Sequence, residues 1–108
     1  MRQTQVAEIL ARVGSADSPT LLLGDLNAPP DAIEIQPLFG RLRDSWPTTA
    51  GPGFTYPADT PAARIDYVLA SPNGKVDTAF VPVVPAASDH RPVVVEISFG
   101  VSCCARRP

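Results

Sequence analysis

Little in this chain commits it to a disulfide scaffold, a membrane or a polyanion. It has two cysteines, Cys103 and Cys104. They are adjacent in a tail after the last apolar run, where a disulfide between neighbours would be strained and no other metal-ligand side chains accompany them. Nine Lys and Arg against eleven Asp and Glu leave a formal charge of -2. No basic run forms a stripe that could follow a phosphate backbone, so the charge pattern shows no nucleic-acid patch. No apolar stretch approaches the roughly 18 to 20 residues of a membrane span. The opening segment mixes Arg2, Gln3, Gln5, Glu8 and Arg12 through its apolar positions, unlike a signal peptide. The expectation is a chain without a membrane segment or export address, in the cytoplasm. There is one histidine, His90, so any imidazole chemistry must use it.

What is present suits one small domain. At 108 residues the chain can enclose one core and is too short for two ordinary domains. An apolar share of 44% with 19% charged residues is globular, and thirteen prolines against seven glycines predict short elements separated by loops. Val6, Ile9, Leu10 and Val13 fall at i, i+3, i+4 and i+7 in the segment from Gln3 to Val13, which predicts a helix stopped by Gly14. Thr20-Leu21-Leu22-Leu23 is short, mostly apolar and bounded by turn residues, as expected of a strand buried on both faces. Gln36 to Leu42 reads as a short helix with Pro37 at its first position and Leu38, Phe39 and Leu42 facing inward. Phe54 to Tyr56, Arg64 to Ala70, Val76 to Val84 and Val93 to Phe99 read as strands, with a turn at Ser71-Pro72-Asn73-Gly74. A helix followed by several strands, without repeats, implies a mixed α and β layer structure.

Three polar clusters stand where strands are expected to end: Gly24-Asp25-Leu26-Asn27, Arg64-Ile65-Asp66-Tyr67 and Ser88-Asp89-His90-Arg91-Pro92. If extended backbone continues past the first strand, Asp25 and Asn27 point to the same side. Singly, each cluster is compatible with capping, a surface ion pair such as Asp66 with Arg64, or a loop hydrogen bond. Jointly, three carboxylates, one amide and one imidazole supply metal ligands, a general base and phosphate donors.

With these motifs in this order, the chain from Arg2 to about Ser98 resembles the endonuclease/exonuclease/phosphatase superfamily, the deoxyribonuclease I-like enzymes. Gly24 to Asn27, followed by Ala28-Pro29, matches that family's Gly-Asp-Phe/Leu-Asn strand end. Arg64 to Tyr67 matches Arg-Ile-Asp-Tyr, and Ser88 to Pro92 matches Ser-Asp-His-Arg/Tyr-Pro. Asp44-Ser45-Trp46 and Phe54-Thr55-Tyr56-Pro57 are lesser landmarks. The resemblance implies an α+β fold, the carboxy-terminal half of a four-layer α/β/β/α sandwich, over residues 1–99 with a tail at 100–108. It implies a metal-dependent phosphoesterase acting on a phosphate-ester substrate with Mg²⁺, or Mn²⁺ in its place. Asp25 would align or deprotonate the attacking water and help bind the metal, and Asp89 would be a metal ligand. Asn27 and His90 would contact the phosphoryl group, and Asp66 would orient His90 and favour its imidazolium.

The family's amino-terminal half carries a strand-end asparagine, a glutamate that is the principal metal ligand and a later histidine. This chain offers Glu8, Glu34 and Glu96, none placed for that role. The expectation is therefore an incomplete site, completed by an amino-terminal half or left bare. The competing reading is an inactive remnant that associates with itself or another protein through an uncovered sheet face. A calcineurin-like metallophosphatase would require Asp-x-His and Gly-Asn-His motifs that the chain lacks.

Overall fold

A computed structural model describes residues 3–15, 17–83 and 88–100. The adjacent cysteines, nearly all of the expected tail and the far end of the strand expected to reach Val84 lie outside the described residues. The chain opens with helix α1 (Gln3–Val13). Val6 is fully buried, and Ile9, Leu10 and Val13 pack against the core, so the predicted apolar stripe faces inward. Gly14 adopts φ 66° and its N–H returns to the Leu10 carbonyl at 3.0 Å, a left-handed helix end that suits a residue without Cβ.

Strand β1 (Leu21–Asp25) pairs antiparallel with β3 (Asp66–Ala70), and a two-residue strand β2 (Arg43–Asp44) pairs with the other side of β3. Between β1 and β2 a 3₁₀ turn (Ile33–Ile35) runs into a short helix, α2 (Gln36–Phe39). The helix expected over 36–42 is thus shorter, and its continuation is a set of tight bonds from Gly40, Arg41 and Leu42 back to Pro37 and Leu38. Leu38 and Leu42 are buried and Phe39 partly so, as the sequence predicts. The core collects Val6, Leu26, Ile35, Leu38, Leu42, Tyr67 and Leu69 from both helical segments and one face of the sheet.

β3 is the strand buried on both faces, with Tyr67, Val68, Leu69 and Ala70 all enclosed. The same expectation for the leucine run of β1 is not met. β1 lies at the edge of its sheet; Leu22 packs on the core, while Leu21 and Leu23 are 47% and 62% exposed. A continuous apolar run shows that both faces are water-averse, but it does not supply a layer to cover the second face.

After the turn closed by the Gly74 N–H to Ser71 carbonyl bond at 2.9 Å, β4 (Gly74–Phe80) and β5 (Val94–Phe99) form a separate antiparallel pair. Val76 opposite Ile97 and Ala79 opposite Val95 make a half-buried apolar face. Thr78 and Glu96 bond side chain to side chain at 2.8 Å on the other face. The segment expected as a strand at Phe54 to Tyr56 is a loop with one isolated bridge, Tyr56 to Ala63. Its backbone partners come from two directions, Thr55 N–H to the Ala63 carbonyl at 2.9 Å and Arg91 N–H to the Thr55 carbonyl at 2.7 Å, so it latches two segments instead of extending a ladder. Among the described residues no helix is long and apolar enough to cross a membrane.

Candidate active site

Asp25 ends β1 and Asp66 begins β3, and the two are direct partners in the antiparallel register. Directly opposed residues share a sheet face, so two carboxylates stand side by side on the face that carries Leu21 and Leu23. Like charges in that position repel, and the structure places His90 against both. His90 Nδ1 lies 2.7 Å from Asp66 Oδ2, and Nε2 lies 3.7 Å from Asp25 Oδ2. Ligand atoms of Asp25, Asp66 and His90 all fall within 4.8 Å of one another.

Local features fix each group. Leu26 and Ala28 are buried while Asp25 and Asn27 are exposed, but the strand ends at Asp25, so the extended backbone on which the same-side expectation depended does not continue. Asn27 takes φ 52°, a left-handed conformation that asparagine tolerates, and its N–H donates to Asp25 Oδ1 at 2.7 Å. Tyr67 secures the same loop: its buried hydroxyl donates to the Ala28 carbonyl at 2.6 Å, with the Arg64 carbonyl at 3.1 Å. Burial pushes the Tyr67 pKa up to about 12, against the lowering influence of Arg64, so the phenol remains a donor throughout the neutral range.

Asp66 does not pair with Arg64. Arg64 Nη2 reaches Asp44 Oδ1 at 2.5 Å and its guanidinium sits 4.9 Å from the Tyr67 ring centre, which leaves Asp66 for His90. Asp66 Oδ2 also accepts the hydroxyl of fully buried Thr55 at 2.6 Å. Thr55 thus holds the carboxylate through its side chain and the His90 loop through its carbonyl. The Tyr56 ring lies 4.8 Å from the imidazole, centre to centre, at 49°. Further bonds from Ala58 N–H to the Asp89 carbonyl (2.7 Å) and from Arg91 Nε to the Ala58 carbonyl (2.6 Å) tie the same two loops together. Thr55 and Tyr56 had no assigned role in the sequence reading. The signal available was their place in the Phe54–Pro57 landmark, which names a segment without naming its partner.

The His90 pKa is raised above 6.5, chiefly by the hydrogen bond to Asp66; burial pulls it down, and the charges of Asp66, Asp25 and Asp89 add to the rise. The arrangement favours an imidazolium whose Nδ1 proton is given to Asp66. Asp89 is not part of the close group of donor atoms; its carboxylate is exposed and its Oδ1 lies 3.4 Å from the Ser88 hydroxyl. Beside the cluster, a cavity of about 450 Å³ is lined by Leu23, Asp66, Val68, His90 and Pro92.

The donor set bears on a divalent cation. Asp66 Oδ2 is already occupied by Thr55 and His90, whereas the Asp25 side chain is 44% exposed. A small, hard cation that uses one or two carboxylates together with water and phosphate oxygens fits at Asp25.

The Endonuclease/Exonuclease/phosphatase family model matches residues 1–90. A comparison with curated proteins finds no match. Among solved structures, a functionally unknown conserved protein from Enterococcus faecalis V583 superposes with a TM-score of 0.74 at 24% identity, over 91% of this chain and 44% of that one. A mannosyl-6-phosphatase from Bacteroides thetaiotaomicron VPI-5482 superposes with a TM-score of 0.62 at 22% identity, over 90% of this chain and 44% of its own. The chain spans less than half the length of either structure, and both carry the fold seen here. With its three motifs gathered at one sheet edge, the chain belongs to the endonuclease/exonuclease/phosphatase family.

Proposed function

We propose that this chain is the phosphate-handling part of a divalent-metal-dependent phosphoesterase, and that it acts together with a further carboxylate donor from outside its 108 residues. The observation that carries the reading is His90 placed against Asp66 through Nδ1 and facing Asp25 through Nε2. An imidazolium at a sheet edge, with its orientation set from behind, is suited to contact a phosphoryl oxygen and offset charge that develops there. In this reading Asp66 orients His90, Asn27 donates its side-chain amide to the phosphoryl group, and Asp25 aligns or deprotonates water. A divalent cation, Mg²⁺ with Mn²⁺ as an alternative, would be held by Asp25 together with the further carboxylate donor, and would supply Lewis-acid polarisation of the ester.

Glu8 lies on α1, Glu34 in the 3₁₀ turn and Glu96 on β5, and none belongs to the close donor group. The missing donor is therefore assigned to a partner sheet that would cover Leu21 and Leu23. Those exposed side chains also favour a second reading, an association module without catalysis. The test is to co-express the chain with an amino-terminal half from a related enzyme and assay bis-p-nitrophenyl phosphate and mannose 6-phosphate with Mg²⁺. The expected result is hydrolysis abolished by EDTA and reduced about 100- to 1,000-fold in His90→Gln, the range for loss of a transition-state donor. A rate indifferent to both would leave the association reading standing.

A further inference from the structure

His90 is the one imidazole of the chain, and what it can do depends on where Nε2 points. The bond between Nδ1 and Asp66 Oδ2 at 2.7 Å anchors a single ring atom, about which the ring plane can still tilt. Nε2 lies on the far side of the ring, and its carboxylate neighbour, Asp25 at 3.7 Å, is beyond direct hydrogen-bond reach. A second restraint on the ring has to come from a contact with the ring itself.

Tyr56 makes that contact. The two ring centres are 4.8 Å apart and the planes meet at 49°, within the range of tilted aromatic pairs, and the π-system of a phenol attracts a cationic group held beside it. The Tyr56 backbone is pinned: its N–H donates to the Ala63 carbonyl at 3.2 Å, and its carbonyl accepts from the N–H groups of Ala62 and Ala63, each at 2.9 Å. Its ring, by contrast, belongs to no core. It is 37% exposed, and its hydroxyl has no partner among the described residues. Thr55, immediately before it, is fully buried and gives its hydroxyl to Asp66 Oδ2 at 2.6 Å. Two successive residues thus each hold one member of the Asp66–His90 pair, Thr55 from the buried side and Tyr56 from the open side.

We propose that Tyr56 is a positioning residue: its ring, held against the imidazole, fixes the tilt of His90 so that Nε2 faces Asp25, while Asp66 and Thr55 fix Nδ1. The inference rests on the phosphoesterase reading for what His90 then does, and on the geometry alone for how His90 is held.

Two substitutions separate ring from hydroxyl. Tyr56→Leu keeps an apolar side chain and removes the ring, whereas Tyr56→Phe keeps the ring and removes the hydroxyl. NMR of the 108-residue chain, at one pH below the ordinary histidine value of about 6.5, follows the Nδ1–H proton, which its bond to Asp66 protects from exchange with water. The expected result is the wild-type exchange rate in Tyr56→Phe and a rate about two- to fivefold faster in Tyr56→Leu, the factor that corresponds to an exposed cation–π contact, with the urea midpoint unchanged. In the complex with an amino-terminal half, Tyr56→Leu should lower kcat by at least the same factor while KM stays within about twofold, and Tyr56→Phe should recover the rate. Equal Nδ1–H exchange in wild type and Tyr56→Leu overturns the proposal. So does faster exchange matched by an equal loss of stability in urea, which would mark packing only. A Tyr56→Phe variant as impaired as Tyr56→Leu also overturns it, giving the role to the hydroxyl. Faster exchange in Tyr56→Leu, in a complex that hydrolyses no ester, would keep the positioning role and count against the phosphoesterase reading. A rate lost with unchanged exchange would do the reverse.

Discussion

The two faces of the β1–β3 sheet are built from similar residues and have opposite fates. On one, Leu22, Tyr67 and Leu69 meet α1 and α2 and are enclosed by them. On the other, Leu21, Leu23 and Val68 stand with Asp25 and Asp66; Val68 is shielded, but Leu21 and Leu23 lie open. Burial stabilises only where a second layer exists, so the first face holds the fold together and the second carries the Asp25–Asp66 pair and exposed apolar surface side by side. In the phosphoesterase reading, self-association on this face would compete with the partner layer that completes the site. A partner layer over Leu21 and Leu23 would border the carboxylate pair, and any self-association there would block it.

The sharpest way to break this comparison is to truncate one leucine on each face. Leu69→Ala removes a side chain with no exposure and should cost about 2–5 kcal/mol, read from the urea midpoint. Leu23→Ala, at 62% exposure, should stay within about 0.5 kcal/mol. Equal losses would mean that the open face is covered in solution, and sedimentation velocity would then show by what. The same face predicts dimerisation or strong binding of a hydrophobic dye by the purified chain. Leu21→Lys with Leu23→Lys should abolish both, and a monodisperse wild-type chain that binds no dye would refute the association reading.

A smaller effect separates the sheet from its loops. Tyr67→Phe keeps the ring in the core and deletes the donor to the Ala28 carbonyl. An unsatisfied buried carbonyl costs about 1–3 kcal/mol, and the loss should be accompanied by faster amide exchange over residues 25–28. A full-sized loss without local exchange would place the hydroxyl's contribution in the core instead of the Asp25 loop. Thr55→Val, isosteric but without the hydroxyl, tests the other loop, since a hydrogen bond to a charged group contributes about 1.5–3 kcal/mol. Thr55→Ser should recover much of it if the bond to Asp66, and not the methyl group, is what matters.

Much of this was legible in the sequence because the signals were local. The stripe of α1 needs only 3.6 periodicity, and the strand that ends in Asp25 follows from the leucine run before it. Asp66 and His90 sit in motifs whose pairing the family resemblance anticipated, and the structure shows that bond. What was not legible depends on distant partners. The leucines of β1 do not reveal an edge position, because triple leucine reads alike with one face covered or two. Phe54 to Tyr56 has the aromatic and β-branched content of a strand, yet its backbone bonds go to Ala63 and Arg91 from different segments. Arg43–Asp44 is too short to announce itself, and pairs only because β3 offers a second edge. Asp89, expected among the metal donors, lies outside the close group of Asp25, Asp66 and His90.

The mildest test concerns pH and turns on the site face alone. The His90 pKa is raised above 6.5, first by its hydrogen bond to Asp66. A group whose folded pKa exceeds its unfolded one contributes stability that is complete below the unfolded value and disappears as pH rises through the folded value. The melting temperature should therefore fall as pH rises from the ordinary histidine value of about 6.5 through the higher folded value. Tyr67 does not confuse the reading. Its folded pKa of about 12 against an ordinary 10 confines its own loss of stability to pH above 10. Asp66→Asn removes the partner that raises His90 and should flatten the curve in the lower window, while the alkaline loss, to which the Asp66 charge contributes least, should change little. Leu23→Ala, on the same face but without charge, should leave both intact. If Asp66→Asn keeps the full slope above the ordinary histidine value, the rise in His90 comes from the charges of Asp25 and Asp89 instead of from its hydrogen bond to Asp66.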